Sequence, residues 1–586
     1  MCGIIGYLDD EIGTSYVIDG LQKLEYRGYD SCGFACVKNG EFSIYKSTKR
    51  IADLKEKIKD DGTTIIAHTR WATHGKVSFE NAHPISSYLE NFIIVHNGII
   101  ENYQELKDKY LKDIVLKTET DTEIIVNLIE LFYQKDNNLI SVLSFVSSLL
   151  SGSFACLIIN KNDDEKIYFM KRNSPLLIGT GKGIYIASDS LAFNEKVDKF
   201  CRLENNDLGY VTKKDVFIYN NSVLINPKYT LFDYNNNDYS LGKYHHHMEK
   251  EIYDEPAILK KYLDTYINKN KISLGTCVED ILSQDFNNIY IIGSGTSYHA
   301  ALFGSYFFRT ISRKNAVSIV SSEFYPDEYI LNNNDLFIVI SQSGETADLI
   351  KVCEQIKNHK IIAITNVTTS TIAVMANVVI DMKAGAEIAV ASTKAYISSV
   401  TILYLLANLL IKNNPYLEFL TGTRSMNLAF YQLPTIIKLA KHIAGKEHLF
   451  FLGKSTDYLL AKEASLKLKE ITYIHSESFQ SGELKHGTIA LITNGTPVIA
   501  IITNSKYHML MRNAIAEVKT RGAIIYVISL KSLSRPNDEI IIDDTNINLS
   551  YLPVSIIFQL LAYYTALERG TDIDKPRNLA KSVTVL

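Results

Sequence analysis

A cysteine stands at position 2, directly ahead of the apolar, glycine-punctuated run GIIGY. A terminal strand accounts for the apolar residues. It gives no reason for a thiol where removal of Met1 would make it residue one. Further along, two segments are rich in glycine and hydroxyls: G-S-G-T-S over 293–297 and S-Q-S-G-E-T over 341–346. Short side chains let backbone N–H groups approach an anion, hydroxyls add donors, and a following helix contributes its positive end. One such loop would be read as helix capping by Ser or Thr. Two of them, after neighbouring strands, point to a phosphate. Lys467 and Glu470 lie three apart on one face of a predicted helix, a spacing that by itself describes a solvated ion pair. Lys485 and His486, in GELKHG, are equally unexceptional alone.

The elements that must position these groups fall into two halves. Residues 1–225 carry short β-rich runs such as TTIIAHTRWAT, NFIIVHNG, GSFACLII and GIYIASDS. Residues 226–256 are polar and asparagine-rich and read as a linker. From 257 onward, apolar strands, small-residue loops and amphipathic helices alternate, the pattern of α/β domains with mostly parallel sheets. This half repeats: IYIIGSGTSYHAA (289–301) corresponds to LFFLGKSTDYLLA (449–461), and FIVISQSG (337–344) to IAIITNSK (499–506). The expected domains are therefore 257–415 and 416–575, with a tail over 576–586. In the second copy the loops read GKSTDY and TNSKYH, a poorer anion cradle than the first copy's.

Bulk properties narrow the function classes. The chain has 586 residues, a formal net charge of −4 and no sizeable basic run, which speaks against nucleic acid as a partner. The apolar stretch TILYLLANLLI (401–411) is too short for a bilayer of about 30 Å, and no signal-peptide pattern opens the chain. No membrane partner is expected. Seven scattered cysteines without a C-x-x-C pair argue against a disulfide framework or a zinc site and suit a reducing cytoplasm.

The motifs MCGIIGY, EYRGYDSCG, HTRWATHG, HNGIIEN, TETDTE, MEKEIYDEP, GTSY, SQSGETADL, EIAVASTKAY, LKLKEITYIH, GELKHG and PRNLAKSVTV occur in this order nearly end to end. Together they resemble the glutamine–fructose-6-phosphate aminotransferase (isomerizing), or glucosamine-6-phosphate synthase, family. The resemblance implies an N-terminal nucleophile (Ntn) hydrolase α+β sandwich followed by two tandem α/β sugar-isomerase (SIS) domains. It implies a cofactor-independent enzyme that takes L-glutamine and D-fructose 6-phosphate and works as a homodimer or higher homo-oligomer.

Residue by residue, the resemblance makes Cys2 the glutaminase nucleophile, activated by its own α-amine once Met1 is removed. Asn97 and Gly98 match the oxyanion hole. Arg70 and Asp121 match the grips on the two ends of glutamine, Thr73 and His74 line that pocket, and Arg27 belongs to a lid. Trp71 matches the gate of an ammonia channel. In the isomerase half, Thr296, Ser297, Ser341, Gln342, Ser343 and Thr346 match sugar-phosphate positions, with Val390, Ser392 and Lys467 beside them. Lys581 matches the lysine that forms a Schiff base with the open ketose, Glu470 the carboxylate that moves the C1 proton, and His486 the ring-opening histidine supplied by a neighbouring subunit. His245, His246 and His247 invite a metal, but family members carry a basic, aromatic linker there, so no metal is expected.

Overall fold

The computed structural model describes residues 2–38, 40–59, 62–232 and 240–583. It divides into two compact units, Met1–Asn237 with Ser582–Leu586, and Asp238–Lys581.

The first unit contains an eight-stranded and a seven-stranded sheet whose neighbouring strands run antiparallel. The strand Gly3–Leu8 explains the layering. It lies between Ile184–Ala187 and Thr64–Arg70, and all six of its residues are buried. Successive side chains point to opposite faces. Ile5 and Tyr7 pack with Val17, Leu21 and Leu24 of the helix Thr14–Leu24. Ile4 and Leu8 meet Ile93, Val95 and Leu157 of the other sheet. The second sheet's outer face is covered by the helices Tyr103–Tyr110, Asp121–Tyr133 and Leu139–Leu149. The result is a helix–sheet–sheet–helix sandwich, in which a strand buried on both faces reads as continuously apolar.

The stretch read as a linker contributes a strand and the first turns of a helix. Tyr229–Leu231 is an edge strand paired with Val197–Arg202, and His247 opens a helix running to Thr265. That helix buries Met248, Ile252 and Leu259 in the core of the second unit. Glu251 and Glu255 lie buried with them, which disguised the apolar stripe. His246 Nδ1 lies 3.0 Å from the Tyr563 hydroxyl, and the backbone N–H groups of His247 and Met248 donate to Asp574. The histidine run is thus the start of a docked helix.

In the second unit, two five-stranded parallel sheets share one strand order: second, first, third, fourth, fifth. Asn288–Gly293 and His448–Gly453 are the corresponding first strands. One continuous core joins the two copies and takes in the helices Lys394–Leu410 and Tyr551–Arg569. By length and composition the segment Ile547–Arg569 could cross a membrane, but its 18-residue apolar window is 94% buried. It is a core helix.

Gly33, in the first unit, has no room for a side chain. A Cβ on Gly33 would lie 2.0 Å from the His83 carbonyl oxygen, a backbone atom that cannot swing away. Gly33→Ala is expected to destabilise this unit by about 1–3 kcal/mol. Denaturant unfolding followed by fluorescence of Trp71, the chain's one tryptophan, would show the lowered midpoint.

Candidate active sites

Three strand segments of the first unit meet at Cys2. Cys2 precedes Gly3–Leu8, Trp71 follows Thr64–Arg70, and Asn97 and Gly98 lie within Phe92–Ile100. The Trp71 N–H donates to Cys2 Sγ at 3.2 Å, and the thiol faces the Trp71 carbonyl at 3.5 Å. Burial pushes the Cys2 thiol pKa up, while the Trp71 N–H and the nearby Arg70 charge favour thiolate. Asn97 Nδ2 donates to the Cys2 carbonyl at 3.0 Å. Gly98 has φ 129°, and a Cβ there would sit 2.0 Å from the Ser153 carbonyl oxygen, so the position demands glycine.

The loop after Thr64–Arg70 curls around its own arginine. Arg70 donates to the carbonyls of Gly75 at 3.0 Å and Lys76 at 3.4 Å, and also to that of His74. Thr73 is exposed, and His74 packs edge-on against Tyr103 at 5.2 Å. Asp121 starts its helix and accepts the Ile100 N–H at 2.8 Å. Trp71 stands edge-on to Tyr29, with ring centroids 5.7 Å apart. Asp30 ties the segment before strand Ser31–Lys38 to this loop by accepting the Ala72 N–H at 2.9 Å. Arg27 is placed differently from an open substrate grip. It is 1% exposed, donates to the Ser188 carbonyl at 2.7 Å and lies 3.4 Å from the Asp189 carboxylate. There it ties the turn Glu25–Arg27 to the segment at Ser188 and Asp189. His68, the first letter of HTRWATHG, went unremarked in the sequence reading, yet its Nε2 lies 3.1 Å from Asn97 Oδ1.

In the second unit both hydroxyl-rich loops cap helices at the ends of adjacent parallel strands, Asn288–Gly293 and Leu336–Ser341. Thr296 and Ser297 begin one helix, and Thr346 is the N-cap of the other. Ser341 Oγ lies 2.9 Å from Thr346 Oγ1 and accepts the Gly344 N–H at 3.0 Å. Ser343 Oγ accepts the Glu345 N–H at 3.2 Å, and Gln342 holds Asn366 through its carbonyl. This is the strand-end geometry at which open α/β sheets bind ligands.

The ion pair between Lys467 and Glu470 is not solvated. Lys467 is 1% exposed and lies 2.6 Å from Glu470 and 3.4 Å from Glu463. Burial works against its charge, but the two carboxylates outweigh it and raise the lysine pKa. Glu463 in turn accepts from Thr296 Oγ1 at 3.0 Å and contacts His299 Nδ1 at 2.7 Å. The candidate base and the candidate phosphate loop therefore share one hydrogen-bond network. Glu463 was missed in the sequence because its partner Thr296 is 167 residues away.

Lys581 is buried against a second missed acid. Its Nζ lies 2.5 Å from Glu387 Oε2, with side-chain exposures of 2% and 0%. Glu387 also accepts from Ser392 Oγ at 3.0 Å and from the backbone N–H groups of Thr393 and Ala395 at 2.9 and 3.0 Å. Val390 is held by its N–H on the Asp574 carbonyl at 2.9 Å. So Ser392 and Lys581 meet through one carboxylate at the start of the helix Lys394–Leu410. His486 is exposed on a short loop helix, and its side chain makes no hydrogen bond among the described residues.

The repeat's second copy shows why it lacks a phosphate loop. Asp457 stands where the first copy has Ser297, and Thr503 and Asn504 stand where it has Ser341 and Gln342. The Asp457 carboxyl group accepts the Thr503 N–H at 3.1 Å and the Asn504 N–H at 3.4 Å. The chain's own acid fills the cradle. Burial pushes it up to about 7 against these hydrogen bonds.

Glu387 generates a pH prediction. Burial disfavours its charge, but Lys581 and the Thr393 and Ala395 N–H groups outweigh that and hold it down at about 2. Its folded value lies below the ordinary 4.5, so its contribution to stability is complete above that pH and is lost as pH falls towards 2. Glu387→Gln is expected to destabilise the protein at pH 7. Its stability gap to the parent, read by chemical denaturation, should narrow progressively below pH 4.5.

Comparisons with known proteins agree with this division. A family model described as a glutamine amidotransferase domain matches residues 68–195. The SIS domain model matches twice, over 282–409 and 442–569, an offset of 160 residues. The glutamine–fructose-6-phosphate aminotransferases (isomerizing) of Oceanobacillus iheyensis, Listeria innocua and Bacillus subtilis are 41%, 42% and 40% identical to this chain. Each alignment covers 100% of both proteins. Among solved structures, the C-terminal domain of glucosamine-fructose-6-phosphate aminotransferase from Francisella tularensis is 29% identical, with a TM-score of 0.54 over 57% of this chain and 100% of that one. With full-length identity at this level, and with an amidotransferase domain joined to two SIS domains, the chain belongs to the glutamine–fructose-6-phosphate aminotransferase (isomerizing) family.

Proposed function

We propose that this chain transfers the amide nitrogen of L-glutamine to D-fructose 6-phosphate, giving D-glucosamine 6-phosphate and L-glutamate. The full-length likeness to the named aminotransferases carries this reading, and both halves hold the groups such chemistry needs.

With Met1 removed, the Cys2 α-amine, with an ordinary pKa of about 7.7–8.0, takes the thiol proton near neutrality. The thiolate attacks the glutamine amide carbon, and the oxygen that becomes negative is met by Asn97 Nδ2 and the Gly98 N–H. Collapse of the adduct expels ammonia, which leaves with the proton the α-amine returns. Water then cleaves the thioester to glutamate. Arg70 binds the substrate carboxylate in exchange for its loop carbonyls, and Asp121 binds the ammonium.

In the second unit, the loops 293–297 and 341–346 hold the sugar phosphate. The Lys581 amine adds to the C2 carbonyl of the opened ketose and loses water to form an iminium. Ammonia adds to the C2 iminium and expels the Lys581 amine, leaving ammonia's own imine at C2. That imine acidifies the C1 hydrogen, and Glu470, held by Lys467, moves the proton from C1 to C2 while the C1 hydroxyl becomes the aldehyde of the amino sugar. Ammonia released into water would be diluted and protonated to a non-nucleophilic ion, so it travels internally past Trp71. His486 is exposed in the single chain and opens the ring in a neighbouring copy's site, which makes the homodimer the smallest complete isomerase.

Cys2→Ala is expected to abolish glutamine-dependent synthesis while sugar isomerisation persists; unchanged synthesis from glutamine refutes the assignment. Mixing two inactive proteins, His486→Ala and Lys581→Ala, is expected to restore about a quarter of parental isomerisation on statistical subunit exchange, because half of the dimers then carry one complete site. No recovery would place His486 in its own subunit's site or outside the chemistry.

A further inference from the structure

We propose that His68 is a positioning residue for glutamine hydrolysis: it locks the Asn97 amide the right way round, with Nδ2–H towards the carbonyl oxygen of the amide attacked by Cys2 and Oδ1 away from it. The inference rests on the reading of Asn97 as an oxyanion donor.

An asparagine amide is nearly symmetric in shape, and rotation by half a turn exchanges donor for acceptor. For an oxyanion site the two orientations are opposites. One offers an N–H to the developing charge, and the other offers a lone pair that repels it. Something must pay for the difference before substrate arrives. On one side of Asn97 the Cys2 carbonyl, which can only accept, lies 3.0 Å from Nδ2. That contact alone is a weak lock, because it sits at the working end of the site, where substrate enters.

The other side is built more firmly. His68 Nε2 lies 3.1 Å from Asn97 Oδ1 and 3.0 Å from the His96 carbonyl oxygen. Two acceptors face this nitrogen, so it carries the hydrogen and donates to both. The remaining nitrogen, Nδ1, is buried and has no hydrogen-bond partner among the described residues. The ring is neutral: burial, with Arg70 and His96 nearby, drives its pKa down to about 3. A neutral imidazole with its one hydrogen on Nε2 is a donor whose sense does not change across the working pH range. Asn97 Oδ1 therefore cannot exchange places with Nδ2 without leaving a buried N–H facing N–H.

The ring itself has little freedom. His68 is 0% exposed, in the middle of a strand paired with Ile4 on one side and Gly33 on the other. It packs against His83 with ring centroids 4.3 Å apart and ring planes tilted by 32°, and His83 Nδ1 accepts the His96 N–H at 3.4 Å. His68 thus sits between the strand that follows Cys2 and the strand that carries Asn97, and transmits the position of one to the side chain of the other. It does not touch the substrate carbon in this arrangement, so its effect passes through Asn97.

The test compares His68→Leu, which has no donor, with His68→Gln, whose amide N–H can replace Nε2–H. Removal of one oxyanion donor costs about 100- to 1,000-fold in kcat, and loss of its orientation is expected to cost about 10- to 100-fold. In His68→Leu the glutaminase kcat should fall by that factor with KM nearly unchanged, and His68→Gln should recover most of it. An aldehyde analogue of glutamine adds the Cys2 thiolate to form the same oxyanion, so its affinity should fall in parallel, while inhibition by glutamate should not. Sugar isomerisation by each variant serves as the control for folding.

Asn97→Ala, measured alongside, separates the two claims. If that variant hydrolyses glutamine at the parental rate, the oxyanion reading fails. If it is impaired and His68→Leu is not, the positioning role of His68 is overturned. The double variant should be no slower than Asn97→Ala alone, and additive losses would also overturn it. Should His68→Leu fail to fold, His68→Gln decides: aldehyde affinity near parental supports the role, and a loss of about 100-fold, as for a missing oxyanion donor, refutes it.

Discussion

A lysine ammonium that water does not reach organises the isomerase half. Removing an ion from water costs several kcal/mol even after relaxation, so such a group persists only where its partners are fixed. Lys467 has two, Glu463 and Glu470, both on its own helix at three- and four-residue spacing. Because Glu463 is also bonded to Thr296 and His299, the helix that carries the proposed base cannot shift without disturbing the loop proposed to hold phosphate. Substrate affinity and proton transfer are thereby tied to one rigid network. Glu387 makes the same arrangement at the other reactive group. It gathers Lys581, Ser392 and two helix-start N–H groups onto one carboxylate.

The glutaminase half solves its positioning problem with neutral groups. Around Cys2 the buried partners are a backbone N–H, an amide and imidazoles held uncharged by burial. Here a charge is needed only transiently, on an oxygen of the substrate. The buried cation nearby, Arg70, gives its N–H groups to the carbonyls of Gly75 and Lys76 and not to Cys2. Oriented dipoles of fixed sense act on the developing charge with little reorganisation. That is why the sense of the Asn97 amide matters more than its mere presence.

How much of this was legible in the sequence follows from how local each signal is. The tandem α/β repeat was readable because apolar strands and small-residue loops recur in one chain at a nearly constant offset. Cys2, Asn97 and Lys581 were readable through motifs. Glu463, Glu387 and His68 were not singled out, although all three stand in or beside quoted motifs. Their roles come from partners that lie 167, 194 and 29 residues away. The helix His247–Thr265 was hidden for a different reason: its buried face carries Glu251 and Glu255, so composition suggested solvent. Lys467 shows the same failure, since its spacing to Glu470 is that of a surface pair and only tertiary burial distinguishes them.

The two SIS copies have diverged into complementary parts. The first kept serines and threonines at its strand ends, where Ser341 and Ser343 accept the N–H groups of Gly344 and Glu345. The second put Asp457 into the equivalent cradle, where it takes the N–H groups of Thr503 and Asn504 for itself. Yet the helix that starts beside Asp457, Thr456–Thr472, is the one that presents Lys467 and Glu470. Closing the cradle from within ties the start of this helix to the sheet through the chain's own atoms, so Lys467 and Glu470 further along it are held by the fold itself. The hydroxyl-lined strand ends of the first copy and the acid-filled ones of the second are two versions of one strand-end geometry: the first is the one proposed to take a phosphate, and the second secures the helix that carries the proposed base.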